Sequence, residues 1–165
     1  MSPPPNDFEL ADESGTSAFI LAKRFGKEEI LVRVNLDSQP DFGEDEDEDE
    51  YEEEDEEGLP VEFSVTIGKD GDDVLTFECE SDGEYLTIHN VSLEAMDREE
   101  EAGPPPYAGP LFEDLDDTLQ QAFVDYLEER GVNAYLGEWI RIYLKDKSSL
   151  EYQKWLGRVR EFIAR

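Results

Sequence analysis

Residues 111–165 read LFEDLDDTLQQAFVDYLEERGVNAYLGEWIRIYLKDKSSLEYQKWLGRVREFIAR. Their apolar residues recur at the three-and-four spacing of amphipathic helices, and the pattern predicts three helices in succession. The first carries Leu111, Leu115, Leu119, Ala122, Phe123, Tyr126 and Leu127 on its stripe and stops before Gly131, a residue suited to the positive φ just past a helix end. The second carries Leu136, Trp139, Ile140, Tyr143 and Leu144, with Lys145 and Lys147 at its end, where they suit the negative pole of the helix dipole. Ser148 and Glu151 have the S-x-x-E spacing of a capping box and are expected to open the third, whose stripe is Tyr152, Trp155, Leu156, Val159, Phe162 and Ile163. Leu115, Leu119, Phe123, Trp139, Tyr143, Trp155, Leu156 and Phe162 are the residues expected to serve as core or subunit contact, and Trp155 is expected to be buried.

Upstream, the period changes to two. A short strand is expected at residues 8–12, followed by a turn at 13–16. Residues 17–25 and 28–36 alternate around Gly26-Lys27, a Gly-X turn of the kind that closes tight hairpins. Ile30, Val32, Val34 and Leu36 share one face, while Leu31, Arg33 and Asn35 share the other. Val61, Phe63, Val65 and Ile67 repeat the pattern, as do Leu75, Phe77 and Cys79. Leu86 and Ile88 differ in parity from Val91 and Leu93, which predicts a bulge near His89-Asn90. One domain of α+β class is expected: N-terminal strands over 8–36, middle strands over 61–93, a proline-rich link over 94–110, and helices over 111–165 covering an antiparallel sheet.

The connection over 37–60 is far longer than the usual ~4–6 residues. Between 41 and 57 it holds fourteen acids and no base. A self-repelling run with so little to bury is expected to be disordered. Its carboxylates, Glu44, Asp45, Glu46, Asp47, Glu48, Asp49, Glu50, Glu52, Glu53, Glu54, Asp55, Glu56 and Glu57, are the candidate electrostatic partner-binding residues. The whole chain has 45 acids against 14 bases, a formal charge of −31. That charge excludes strong nucleic-acid binding by counterion release over the whole surface and favours basic partners. Eight of the fourteen bases fall between residues 130 and 165, so the helices are near balance while the rest is acidic.

Other chemistry finds little support. His89, the single histidine, has no nucleophile motif beside it. Cys79, the single cysteine, sits on the inward parity of its strand, which excludes an internal disulfide and a cysteine metal cluster. No P-loop, GxGxxG, HExxH or GxSxG is present. An enzyme is not expected, nor a cofactor, nor a dedicated metal site. The acidic run lacks the EF-hand ligand pattern, which leaves weak, unselective divalent-cation binding or storage as the alternative function. No run approaches the ~18 apolar residues of a membrane helix. The opening Met1-Ser2-Pro3-Pro4-Pro5 is neither a signal peptide nor an arginine-rich transit peptide.

The order of parts resembles the mitochondrial acidic matrix protein family, also called the mitochondrial glycoprotein family. The likeness is carried by Phe8-Glu9-Leu10, residues 20–36 with Lys23-Arg24, the acidic insertion, the middle strands, residues 115–131, Glu151-Tyr152-Gln153-Lys154-Trp155-Leu156 and Phe162-Ile163. The resemblance implies a twisted antiparallel sheet flanked by helices, assembled as a doughnut-shaped homotrimer with one acidic face. It implies a mitochondrial matrix adaptor or chaperone, non-enzymatic, binding basic proteins, ribosomal or RNA-binding ones among them. Support of mitochondrial ribosomes, translation and oxidative phosphorylation goes with it, and a structural ribosome-associated subunit is the further alternative. The family places a helix before the first strand, packed on the last helix. This sequence starts a few residues before Phe8 and holds neither that helix nor a targeting segment, so a weakened trimer is expected if the helix is needed.

Overall fold

A computed structural model describes residues 2–39, 60–95, 104 and 107–165. The two-residue period becomes six antiparallel strands in the order of the chain: β1 (Glu9–Asp12), β2 (Ala18–Phe25), β3 (Glu28–Asn35), β4 (Val61–Gly68), β5 (Asp73–Ser81) and β6 (Leu86–Ala95). This is the α+β meander that the alternation predicts. Gly26 takes φ +61° in the turn that closes β2 on β3, with Phe25 opposite Glu28. Pairing Val32 with Val65 and Val65 with Phe77 sets one apolar row across the middle of the sheet. All three are fully buried. The bulge lies where the parity slip puts it. Glu78 faces Asn90 and Cys79 faces Ile88, which leaves His89 as the inserted residue.

The long β3–β4 connection is clamped where it leaves the sheet. The Gln39 side-chain amide donates to the carbonyls of Asn35 (2.7 Å) and Glu62 (2.9 Å), and its oxygen accepts from the Glu62 N–H (2.8 Å). One side chain thus extends the ladder past the strand ends. The acidic run itself lies outside the described residues, so the expected disorder of 41–57 is not tested by them.

Two α-helices are present among the described residues. Helix α1 (Asp117–Glu129) is capped by the Asp116 carboxylate, which accepts from the Thr118 N–H. It ends in a Schellman motif: Val132 N–H donates to Leu127 O, Gly131 N–H donates to Glu128 O, and Gly131 takes φ +84°. Helix α2 (Ala134–Ile163) runs unbroken for 30 residues from its Asn133 cap. The break expected at Ser148 is therefore corrected. On a 3.6-residue helix, Lys147, Glu151, Lys154 and Arg158 fall on the same side as Leu136, Ile140 and Tyr143. The sheet-facing stripe turns from apolar to polar along one helix, and the distal apolar residues lie on another side. That rotation mimics two helices with separate stripes. Glu151 does not cap anything; its carboxylate accepts from the Gly15 N–H at 3.1 Å.

The helices and the strand residues of one parity enclose a single core that includes Phe19, Leu21, Phe77, Leu127, Leu136, Trp139 and Ile140. Cys79 belongs to it, and burial pushes its thiol far above the ordinary range, as suits an inert core thiol. Gly137 is where α2 meets β5. A Cβ there would stand 2.2 Å from Ser81 Oγ and 2.4 Å from Ser81 Cβ, whereas nothing lies within 4 Å of one at Gly157. The close approach is helix to strand. Gly137→Ala is expected to destabilise by about 1–3 kcal/mol through overpacking. Gly157→Ala is expected to gain up to ~1 kcal/mol of helix propensity. Urea midpoints measure both, and an unchanged Gly137→Ala midpoint would mean that α2 lifts off β5 without cost.

Candidate functional site

Because antiparallel partners share a face, the strand residues of the other parity form a second surface that α1 and α2 do not cover. Across β4, β5 and β6 this open face carries Glu62, Glu78, Glu80 and Glu94, interspersed with Ser64, Thr66, Thr76 and Asn90. Glu62 stands directly opposite Glu80. The only ion pair that these four acids make among the described residues is His89 Nε2 to Glu80 Oε2, at 2.7 Å. Partial desolvation raises the Glu78 carboxyl above its ordinary value, and the charges of Glu94 and Glu62 add to the rise. Arg24 and Arg33 sit on the same face but on β2 and β3, so charge is divided across the sheet. The open face thus continues the acidic character of the 41–57 run, whose thirteen candidate carboxylates from Glu44 to Glu57 lie outside the described residues.

The helix residues separate into two groups. Trp139 is buried and stacks on Tyr143 at 5.1 Å, while Tyr143 meets Phe19 edge-on at 4.7 Å. Leu115 and Phe123 are half-buried against the core, with Phe123 5.9 Å from the Phe77 ring. Leu119 lies at the surface. Trp155 is 57% exposed, Leu156 44% and Phe162 77%. The expected burial of Trp155 within the chain is corrected: it lies one turn after Glu151, at the rim of an open cleft between α2 and the β1–β2 turn that Ser14, Thr16 and Phe162 also line, and stays more than half exposed. Tyr152 and Ile163 are exposed on the same side, giving an apolar surface on the distal half of α2.

Two ion clusters, each built around a buried basic side chain, hold the helices to the sheet, and the sequence reading missed both. Glu28, first residue of β3, accepts from Nε and Nη2 along one edge of the Arg130 guanidinium at 3.0–3.3 Å and from the Tyr126 hydroxyl at 3.0 Å. The guanidinium also lies 3.5 Å from the Tyr126 ring centroid and 4.9 Å from that of Phe25. Burial opposes ionisation of Glu28, yet the hydrogen bonds from Arg130 and Tyr126 outweigh it and hold the carboxyl below its ordinary value. Lys147 is not at a helix end but buried within α2, 2.8 Å from Asp12 Oδ1 and 3.4 Å from Glu151 Oε1. Burial works against its charge, and these carboxylates more than restore it, raising the ammonium above its usual value. Tyr143 donates to Asp12, and desolvation together with this bond pushes its phenol up to about 12. The available signal was the helix period: Lys147 falls on the core stripe, where an unpaired charge is excluded.

None of the described helices is long and apolar enough to cross a membrane. What the arrangement offers is a charged sheet face on one side and a one-sided apolar helix on the other.

Comparison with known proteins gives a consistent picture. The profile of the family described as Mitochondrial glycoprotein, MAM33, matches residues 3–163. The mitochondrial acidic protein mam33 of Schizosaccharomyces pombe is 31% identical over 193 residues, covering 99% of this chain and 70% of the relative. An uncharacterised mitochondrial protein of Arabidopsis thaliana is 32% identical over 163 residues, and there the chain spans 64% of the relative's length. Neither name denotes an enzyme. Among solved structures, a Leishmania major protein described as a sequence homologue of human p32 superposes with a TM-score of 0.76 at 24% identity, over 98% of this chain and 84% of that one. The Trypanosoma brucei p22 protein superposes at 0.75 and 22% identity, over 99% and 85%. At such identities the two structures speak for the fold alone.

Proposed function

The chain belongs to the mitochondrial glycoprotein family, and on that basis we propose that it is a non-enzymatic acidic adaptor or chaperone of the mitochondrial matrix. It binds basic proteins, ribosomal or RNA-binding ones among them, and so supports mitochondrial ribosomes, translation and oxidative phosphorylation. The observation that carries this reading is the segregation of a −31 charge. Fourteen acids stand in one run, and the open face of β4–β6 adds four more with a single imidazole as counter-group among the described residues. Such a field draws cationic proteins over distances of about the Debye length, ~8 Å at physiological salt, and speeds their encounter.

The working form is a homotrimer. Trp155, Leu156 and Phe162 present an apolar surface that their own chain leaves open, and contiguous apolar patches of this kind mark interaction sites. In a trimer three acidic runs act together and add avidity.

Calorimetric titration separates this reading from divalent-cation storage by the acidic run. A lysine- and arginine-rich protein is expected to bind with an affinity that falls steeply as salt rises, while calcium binds weakly and without fixed stoichiometry. Tight, stoichiometric calcium uptake, with no salt-dependent binding of the basic protein, would overturn it.

A further inference from the structure

We propose that Glu62, Glu80 and His89 form a binding site for one divalent transition-metal cation of the Zn²⁺ class, on the open face of the sheet. The site is separate from the acidic run and does not depend on the adaptor reading. Three adjacent strands supply one ligand each, and a carboxylate oxygen of each glutamate and an imidazole nitrogen lie within 4.8 Å of one another. Closing from there to the ~3.3 Å separation implied by ~2.0 Å bonds in a tetrahedral set requires only side-chain rotation.

Three features set this trio apart from a general acidic surface. It contains the single histidine of the chain, and imidazole nitrogen with two carboxylates is a Zn²⁺ donor set, whereas Ca²⁺ takes six to eight oxygens. Glu62 and Glu80 are directly opposed across the ladder, an arrangement that destabilises a sheet when both are charged and uncompensated. Glu62 has no ion-pair partner among the described residues, and Glu80 has only His89. The positions are also fixed in advance. Gln39 holds the Glu62 backbone through both its N–H and its carbonyl, and the bulge lets His89 and Asn90 emerge together on the open face. One position of the tetrahedral set stays open to water, and the binding order should follow the ordinary preference of N/O sites, with Zn²⁺ well above Mn²⁺.

Because His89 is alone, its imidazole C–H signals in a proton NMR spectrum report this site and no other histidine. Titration of the full chain with Zn²⁺ is expected to shift them to an end point at one equivalent, while Ca²⁺ at the same concentrations leaves them in place. Glu62→Gln and Glu80→Gln are each expected to weaken Zn²⁺ by at least the ~10–100-fold that even outer-shell partners cost, with circular dichroism unchanged. Glu78→Gln removes a neighbouring charge of the same face and is expected to keep the end point, as is deletion of 41–57. Signals that ignore Zn²⁺, that answer Ca²⁺ equally, or that lose their response as much in Glu78→Gln as in Glu62→Gln would overturn the site.

Discussion

Arg130→Ala is expected to lower the stability of the fold by up to about 3–5 kcal/mol, the cost of removing one partner of a buried ion pair, with the exposed Lys69, 3.8 Å from Glu28, as the remaining counter-charge. The Arg130 and Glu28 side chains are nearly closed to solvent, so screening gives little relief. The loss removes four hydrogen bonds to Glu28, one to the Tyr126 carbonyl and the stacking on Phe25 and Tyr126, while Glu28 stays in place. Replacing both partners together, as Glu28→Leu with Arg130→Met, is expected to recover most of the loss, since a packed apolar pair does not carry the desolvation cost. Denaturant midpoints of the three variants decide this; a double variant as weak as Arg130→Ala would mean that the pair holds the β3–α1 junction by shape rather than charge. The pair also sets the acid limb. Glu28 and Asp12 both have depressed carboxyls, so their contribution is present above the unfolded values near ~4.3 and ~3.9 and is lost as pH falls through the lower folded ones. Lys147 acts at the other end. Its raised ammonium contributes fully below ~10.4 and is lost as pH rises through the folded value.

Trp139→Ala is expected to cost about 3–5 kcal/mol, the range for truncating a large buried aromatic. Its ring stacks on Tyr143 and its indole N–H donates to Ser2 O at 3.1 Å. Trp155→Ala is expected to change the stability of the single chain by less than ~0.5 kcal/mol, as surface substitutions do. Its effect should appear instead in the subunit equilibrium, as a dissociation that sets in at higher protein concentration. Light scattering across a dilution series, alongside denaturation, separates the two. Equal destabilisation by both tryptophan variants in a monomer would return Trp155 to the core.

Strand positions were legible because the strands after β1 each have one drier face: Ile30 to Val34 and Val61 to Ile67 alternate without a fault, and the fault at His89 is the bulge. Gly131 was legible because a Schellman end needs a positive φ. The length of α2 was not. Ser148 and Glu151 satisfy a local capping rule, but a cap acts only where the chain turns, and the polar contacts of Lys147, Glu151 and Lys154 with Asp12, Ser14 and Gly15 hold the helix straight across that point. Those contacts join residues more than 130 positions apart, which no local pattern reveals. The Glu62–Glu80–His89 trio is of the same kind: its members become neighbours only once the β4–β5 and β5–β6 registers are known.

The central claim is that charge brings partners to this protein, and binding kinetics of the intact chain against one lacking 41–57 test it most directly. The deletion takes the formal charge from −31 to −17 by removing fourteen acids. Shortening a long connection changes stability little, ~0.6 kcal/mol per halving, and Gln39 still closes the strand ends. Against a lysine- and arginine-rich protein, between low and physiological salt, the account predicts slower association, weaker binding and a flatter salt dependence for the shortened chain. Identical association rates and salt slopes for the two chains would contradict it.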